Sequence, residues 1–236
     1  MLPLRDSIPG RTTPYVTVGL IVANFLVWFW ELKNPGVDAH VFRDGFYPCA
    51  VDGPCHLPPG FHALPWYEGV FTGMFMHAGW EHILGNMLFL WIFGNNVEDA
   101  FGHAAFFFWY LVAGVVAMAT QTFVTLEYAG VGAASIPNIG ASGAIAGVLG
   151  AYFVLYPRAR VLTLIFIIIR EVPAVWFLGI WFVLQAWTGG LALEHPENGG
   201  GVAFFAHIGG FAFGVLSGLF LLRARRSSPQ YRLRER

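Results

Sequence analysis

Residues 203–222 read AFFAHIGGFAFGVLSGLFLL, twenty residues in which only His207 and Ser217 carry polar side chains. As a helix this stretch is about 30 Å long, the hydrocarbon thickness of a bilayer. His207, Gly210, Gly214 and Gly218 follow at spacings of three, four and four, so they share one face. Glycines four apart let a membrane helix approach another backbone closely. An imidazole on the same face is costly in lipid and points to a role or a partner for it.

Five further segments approach spanning length: 14–32, roughly 75–94, 103–125, 140–156 and 172–188. The 236-residue chain is 56% hydrophobic and 11% charged, with a mean hydropathy of +0.60, whereas soluble domains are about 45–50% apolar and about 25% charged. The runs are continuous rather than alternating, which excludes a closed barrel. A net charge of −1 gives no global basic field and argues against nucleic acid. The first segment follows Arg5 and Arg11 as a secretory signal would. Its apolar run is longer than a signal's, however, and no small-x-small site precedes Lys33, so it is expected to be retained. Residues 161–169 are too few to cross and are expected to lie at the interface or to extend the next helix across the break at Arg170, Glu171 and Pro173.

Six spans place both termini on one side, and basic residues decide which. Eleven of the thirteen fall on one face: Arg5, Arg11, Arg158, Arg160, Arg170, Arg223, Arg225, Arg226, Arg232, Arg234 and Arg236. Only Lys33 and Arg43 fall on the other, in the proline-rich stretch 33–70. The expectation is an all-α membrane protein: a cytoplasmic segment 1–13, a six-helix domain 14–222 with a long outer loop 33–70, and a basic cytoplasmic tail 223–236. Residues 94–102, with Glu98 and Asp99, are read as a cytoplasmic loop. Cys49 and Cys55 share the outer loop, either bonded there in an oxidising compartment or as separate thiols.

Under this topology His77, His82 and Asn86, then Ser142, then His207 come near one leaflet. Ser142 sits in Gly140-Ala-Ser-Gly-Ala144 at the start of a helix, where free N–H groups and the positive dipole end could hold an oxyanion. Alone, such a serine reads as a helix N-cap. His207 alone reads as a structural histidine in a glycine-zipper pair. If the small face of Ser142, Ala146 and Gly150, with Gly143 and Gly147 beside it, packs on the glycine face of the last segment, the two become a nucleophile and its base. His82 and Asn86, one turn apart, could both donate to an oxyanion, with His77 anchoring the loop above them. A zinc site is disfavoured because His77, Glu81 and His82 miss the metalloprotease spacing by one residue.

Taken together, His77-x4-His82-x3-Asn86, Gly140-Ala-Ser142-Gly143-Ala and Ala206-His207-x2-Gly210-x3-Gly214 resemble the rhomboid family of intramembrane serine proteases, from about residue 70 to 222. Residues 94–102 also resemble the loop after that family's second helix. The resemblance implies a six-helix core with a Ser142–His207 dyad and an oxyanion held by His82, Asn86 and the Ser142 backbone N–H. Gly140, Gly143, Gly210 and Gly214 would support the motifs. It implies single-span membrane proteins as substrates, lipids as surroundings, no cofactor or metal, and a bacterial inner (cytoplasmic) membrane with the site opening on the extracytoplasmic side. Many relatives carry an aromatic residue four positions after the serine, where this chain has Ala146, so His207 is expected to be oriented by Phe204, Phe205 or Phe211. The family's Trp-Arg pair in the first outer loop is not evident between residues 33 and 70. A catalytically silent, client-binding relative is the alternative of another class.

Overall fold

The computed structural model describes residues 1–33, 36–194 and 203–227. Strand β1 (Leu2–Asp6) and helix α1 (Tyr15–Glu31) come first. A long connection then holds α2 (Val37–Asp44), a 3₁₀ turn (Pro48–Ala50) and α3 (Trp66–Gly73). Helices α4 (Trp80–Phe101) and α5 (His103–Val124) follow, α5 leading through a π-helical turn (Thr125–Ala129) into α6 (Gly130–Ala134). The chain ends with α7 (Ser142–Leu155), β2 (Arg160–Ile165), β3 (Ile168–Pro173), α8 (Ala174–Glu194) and α9 (Phe204–Ser227). Among the described residues, three helical stretches are long and apolar enough to cross a membrane: His103–Ala134, Ala174–Leu191 and Phe204–Arg225. Tyr15–Glu31 and Ser142–Leu155 are shorter apolar helices.

Helix α7 is the centre of the bundle. Every residue from Gly143 to Tyr152 is buried, and α4, α5, α8 and α9 all pack on it. A helix apolar on every side belongs in a core or a membrane, and here other helices surround it. Its 14 residues make it about 21 Å long, shorter than the hydrocarbon of a bilayer. The two small faces read from the sequence do meet. A Cβ at Gly210 would fall on the Gly143 carbonyl oxygen and one at Gly214 on that of Gly147, while Gly150 lies against the Phe211 carbonyl. Backbone touches backbone along the α7–α9 seam, which only glycine permits.

Two expectations are corrected. Residues 161–169 do not extend the next helix. They form the antiparallel β2–β3 hairpin, with β1 added to β2 in the order β1-β2-β3, so the protein is mostly, not entirely, helical. The run is rich in β-branched residues, which fit a pleated surface. Too short to span, it satisfies its backbone by pairing (Thr163 with Arg170) and by recruiting a third strand (Leu2 with Leu164).

Residues 94–101 are not a loop either, because α4 runs through them and the chain turns only at Gly102, φ 83°. Gly94 lies against Thr17, and Asn96 is buried with its amide donating to Asp6 at 2.8 Å. The fully buried Glu98 carboxylate accepts the first-turn N–H groups of Val16 (3.0 Å) and Thr17 (2.8 Å) and the Thr17 hydroxyl. Asp99 accepts the N–H groups of Arg11 and Thr12. These acidic side chains therefore satisfy donors at and before the start of α1. Cys49 and Cys55 are joined as a disulfide. Residues 228–236 of the expected basic tail, with Arg232, Arg234 and Arg236, lie outside the described residues.

Candidate active site

The chain enters α7 under restraint. Asn138 and Phe46 exchange backbone hydrogen bonds (2.7 and 3.2 Å), and the Gly140 N–H donates to the Gly73 carbonyl at 2.8 Å. Gly140 has φ 114°, a conformation that favours glycine, and it turns the chain so that Ser142 starts the helix. The cap position is Ala141, with no side-chain cap bond. The serine hydroxyl therefore does not cap the helix, and it lies 2.8 Å from His207 Nε2.

His207 stands in the first turn of α9, whose start is held by Gln121 Oε1 accepting the N–H groups of Phe205 (3.1 Å) and Ala206 (3.2 Å). Its Nδ1 is 2.7 Å from Gln185 Oε1 on α8. An amide oxygen can only accept, so Nδ1 carries the proton and the Nε2 lone pair faces the serine O–H. The Trp181 ring, one turn before Gln185, lies 5.9 Å from the imidazole at 39°. The expected phenylalanine orientation is thus corrected: Phe211 stacks on Phe182 at 4.6 Å, and the polar contact to the imidazole comes from Gln185. Sequence reading missed Gln185, although it is the one amide in segment 172–188 and intramembrane polar residues mark function by default.

His82 Nδ1 accepts the Ala78 N–H at 3.4 Å, which leaves the proton on Nε2. That nitrogen faces Gly140, where a Cβ would lie 2.7 Å from it and 3.6 Å from the Ser142 hydroxyl. Asn86, one turn along α4, is buried, and its Nδ2 has no hydrogen-bond partner among the described residues. Ser142, His207, His82, Asn86, Gln185 and Trp181 line one cavity of about 460 Å³. His77 does not line it. It is fully buried behind His82, the two rings edge to face at 5.0 Å. Gly143, Gly210 and Gly214 belong to the α7–α9 seam that brings serine and histidine together.

A proton acceptor on a hydroxyl, with unpaired donors across a cavity, is equipped for nucleophilic attack on a carbonyl. Comparison with known proteins places the chain among relatives. The chain is 32% identical to "Rhomboid protein 1, mitochondrial" of Saccharomyces cerevisiae over 166 residues, 70% of this chain and 44% of that protein. It is 33% identical to "RHOMBOID-like protein 1" of Arabidopsis thaliana over 172 residues, 69% of this chain and 35% of that protein. It is 37% identical to "Rhomboid protease GluP" of Bacillus subtilis over 86 residues, 36% of this chain and 15% of that protein. It spans less than half the length of each of these relatives. They include a mitochondrial and a bacterial protein, so the likeness does not select a membrane and lends no support to the expected bacterial inner membrane. The rhomboid domain model matches residues 65–224, more than half the chain and all of the residues that line the cavity, and on that match the chain belongs to the rhomboid family.

Proposed function

We propose that this protein is an intramembrane serine endopeptidase that hydrolyses peptide bonds in or near the transmembrane segments of single-span membrane proteins. The observation that carries the reading is the relay Gln185 Oε1, His207 Nδ1 and Nε2, Ser142 Oγ, with separations of 2.7 and 2.8 Å on the wall of a cavity. In this reading α1, α4, α5, α7, α8 and α9 cross the membrane, both termini lie on the arginine-rich side, and the cavity opens on the other. Because α7 is shorter than the bilayer, Ser142 lies below the surface, screened from lipid by the helices around it yet within reach of water.

As the Ser142 oxygen attacks the substrate carbonyl carbon, its proton passes to His207 Nε2. The imidazolium is steadied by the hydrogen bond from Nδ1–H to Gln185. Negative charge develops on the carbonyl oxygen, facing His82 Nε2–H, Asn86 Nδ2 and the Ser142 N–H, which the helix start leaves free. His207 then gives the proton to the leaving amine. A water activated by the same nitrogen releases the acyl-enzyme. The neutral Gln185 takes the place that a carboxylate holds in a Ser-His-Asp arrangement. The relevant experiment is cleavage of a model single-span substrate in liposomes, alongside labelling by a serine-reactive fluorophosphonate. Wild type is expected to cleave and to be labelled, and Ser142→Ala to do neither while remaining folded. Equal turnover by the variant would assign the nucleophile elsewhere, and an unlabelled, inactive wild type would favour a silent client-binding protein.

A further inference from the structure

The hairpin formed by β2 and β3 has a packed base and an unpacked tip. At the base Val161 and Thr163 are fully buried, and the sheet contacts α4 and α8. Six-residue strands carry the chain about 20 Å from that base. The two-residue turn there consists of Phe166 and Ile167, exposed by 94% and 92%. Ile168 and Ile169 beside them are also exposed, as are Met1, Leu2 and Leu4 on β1 and just before it.

The turn is strained as well as apolar. Phe166 has φ 54°, the one positive-φ residue other than glycine among the described residues. Two-residue hairpin turns place asparagine or glycine at such positions because bulky side chains resist them. Strain of this kind is tolerated where the side chain has work to do. From the base of the hairpin to its middle the charge is one-sided, Arg158 and Arg160 standing at the base and Arg5 and Arg170 partway along. Arg5, Arg158, Arg160 and Arg170 are exposed. Against them stand Glu171, 4.0 Å from Arg160, and Asp6, which accepts from Asn96 and Tyr152 on the bundle side.

We propose that this hairpin is a lipid anchor lying along the membrane surface: Phe166 and Ile167 insert at the headgroup–acyl boundary of the leaflet on the arginine-rich side, and the arginines along the hairpin and at its base bind anionic headgroups. Apolar residues flanked by arginine match the pattern of an interfacial element on an anionic leaflet. The base of the sheet rests on α4 and α8, and the two turn residues at the tip are almost fully exposed. The assignment does not depend on proteolysis.

Because Cys49 and Cys55 are bonded to each other, Ile167→Cys introduces one free thiol for a nitroxide label in the full chain. Collision with oxygen and with a water-soluble nickel chelate is then measured in vesicles of phosphatidylcholine, alone or mixed with phosphatidylglycerol. Asp38→Cys, at an exposed position on α2, serves as reference. The label at 167 is expected to be oxygen-accessible and several-fold shielded from nickel relative to 38. It is also expected to sit deeper in the mixed vesicles, a difference that Arg158→Gln, Arg160→Gln and Arg170→Gln together remove. Nickel access equal to that at 38 would overturn the proposal, since the tip would be in water. Shielding from both reagents would overturn it too, since protein would then cover the tip. Equal depth in both vesicle types would overturn the role of anionic lipid. Phe166→Gly relaxes the turn and is expected to melt in detergent no lower than wild type. A large drop would show that Phe166 packs on protein and would also overturn the proposal.

Discussion

Gln185→Met keeps the length of the side chain and removes its amide, so it tests whether the bond to His207 matters to the chemistry. A neutral hydrogen bond contributes about 0.5–1.5 kcal/mol, and leaving a buried N–H unpaired costs about 1–3 kcal/mol. At about 1.36 kcal/mol per factor of ten in rate, kcat should fall by roughly 10-fold and by no more than about 200-fold. That is far below the loss of about 10⁴ when the carboxylate of a Ser-His-Asp triad becomes an amide, which holds the imidazole in the wrong tautomer, because methionine imposes none. The loss should lie in kcat rather than KM, since Gln185 touches the base and the proposed mechanism gives it no contact with substrate. The assay is turnover of a single-span substrate in liposomes over a range of substrate densities, with fluorophosphonate labelling rates as a second readout. If Gln185→Met turned over within about twofold of wild type, or lost activity through KM alone, the claim that this bond orients the base would be wrong.

Asn86→Ala should lower kcat by about 10²–10³-fold, the usual cost of one oxyanion donor, with the melting temperature in detergent little changed because the amide nitrogen has no partner to lose. Gly214→Val drives a side chain into the Gly147 carbonyl. It should cost about 3 kcal/mol or more, seen as a large drop in thermal stability with activity lost in proportion. Glu98→Ala strips acceptors from the first turn of α1 and should destabilise by about 3 kcal/mol, read by detergent melting, while the relay geometry is kept. Burial holds the Asp6 carboxyl above its usual value, partly offset by the hydrogen bond from Tyr152. The folded state therefore favours the protonated acid. The stability it contributes is full below the unfolded value, about 3.9, and is lost as pH rises through the folded one. The melting temperature of wild type should fall across that window more than that of Asp6→Asn.

The apolar helices were legible, three of them long enough to cross a membrane, because continuous apolar runs announce a helix without regard to partners. The meeting of Ser142 with His207 was legible through two glycine stripes. What failed was whatever depended on a partner far along the chain. The stretch 161–169 advertised β-branched residues, but its third strand, Leu2–Asp6, lies some 155 positions earlier and is five residues long, too short to announce itself. Gly94, Asn95 and Asn96 have the composition of a turn. They stay helical because Gly94 makes room for Thr17 and Asn96 finds Asp6, contacts that local composition does not encode. Gln185 is not legible from the sequence around His207, because this contact crosses the bundle from α8 to α9.

Helices α7 and α9 are locked backbone to backbone, whereas α8 presents Trp176, Val183, Leu184 and Trp187 to its surroundings. The proposed nucleophile and base thus ride on the closely packed pair, and the amide bonded to the imidazole rides on the more exposed helix. A guest segment wedging α8 aside would disarm the imidazole as it arrived, and reactivity would return only once the helix settled back around its cargo. If the proposed function holds, such an arrangement would favour segments that linger over those that merely pass, and selectivity would be read out in dwell time as much as in sequence.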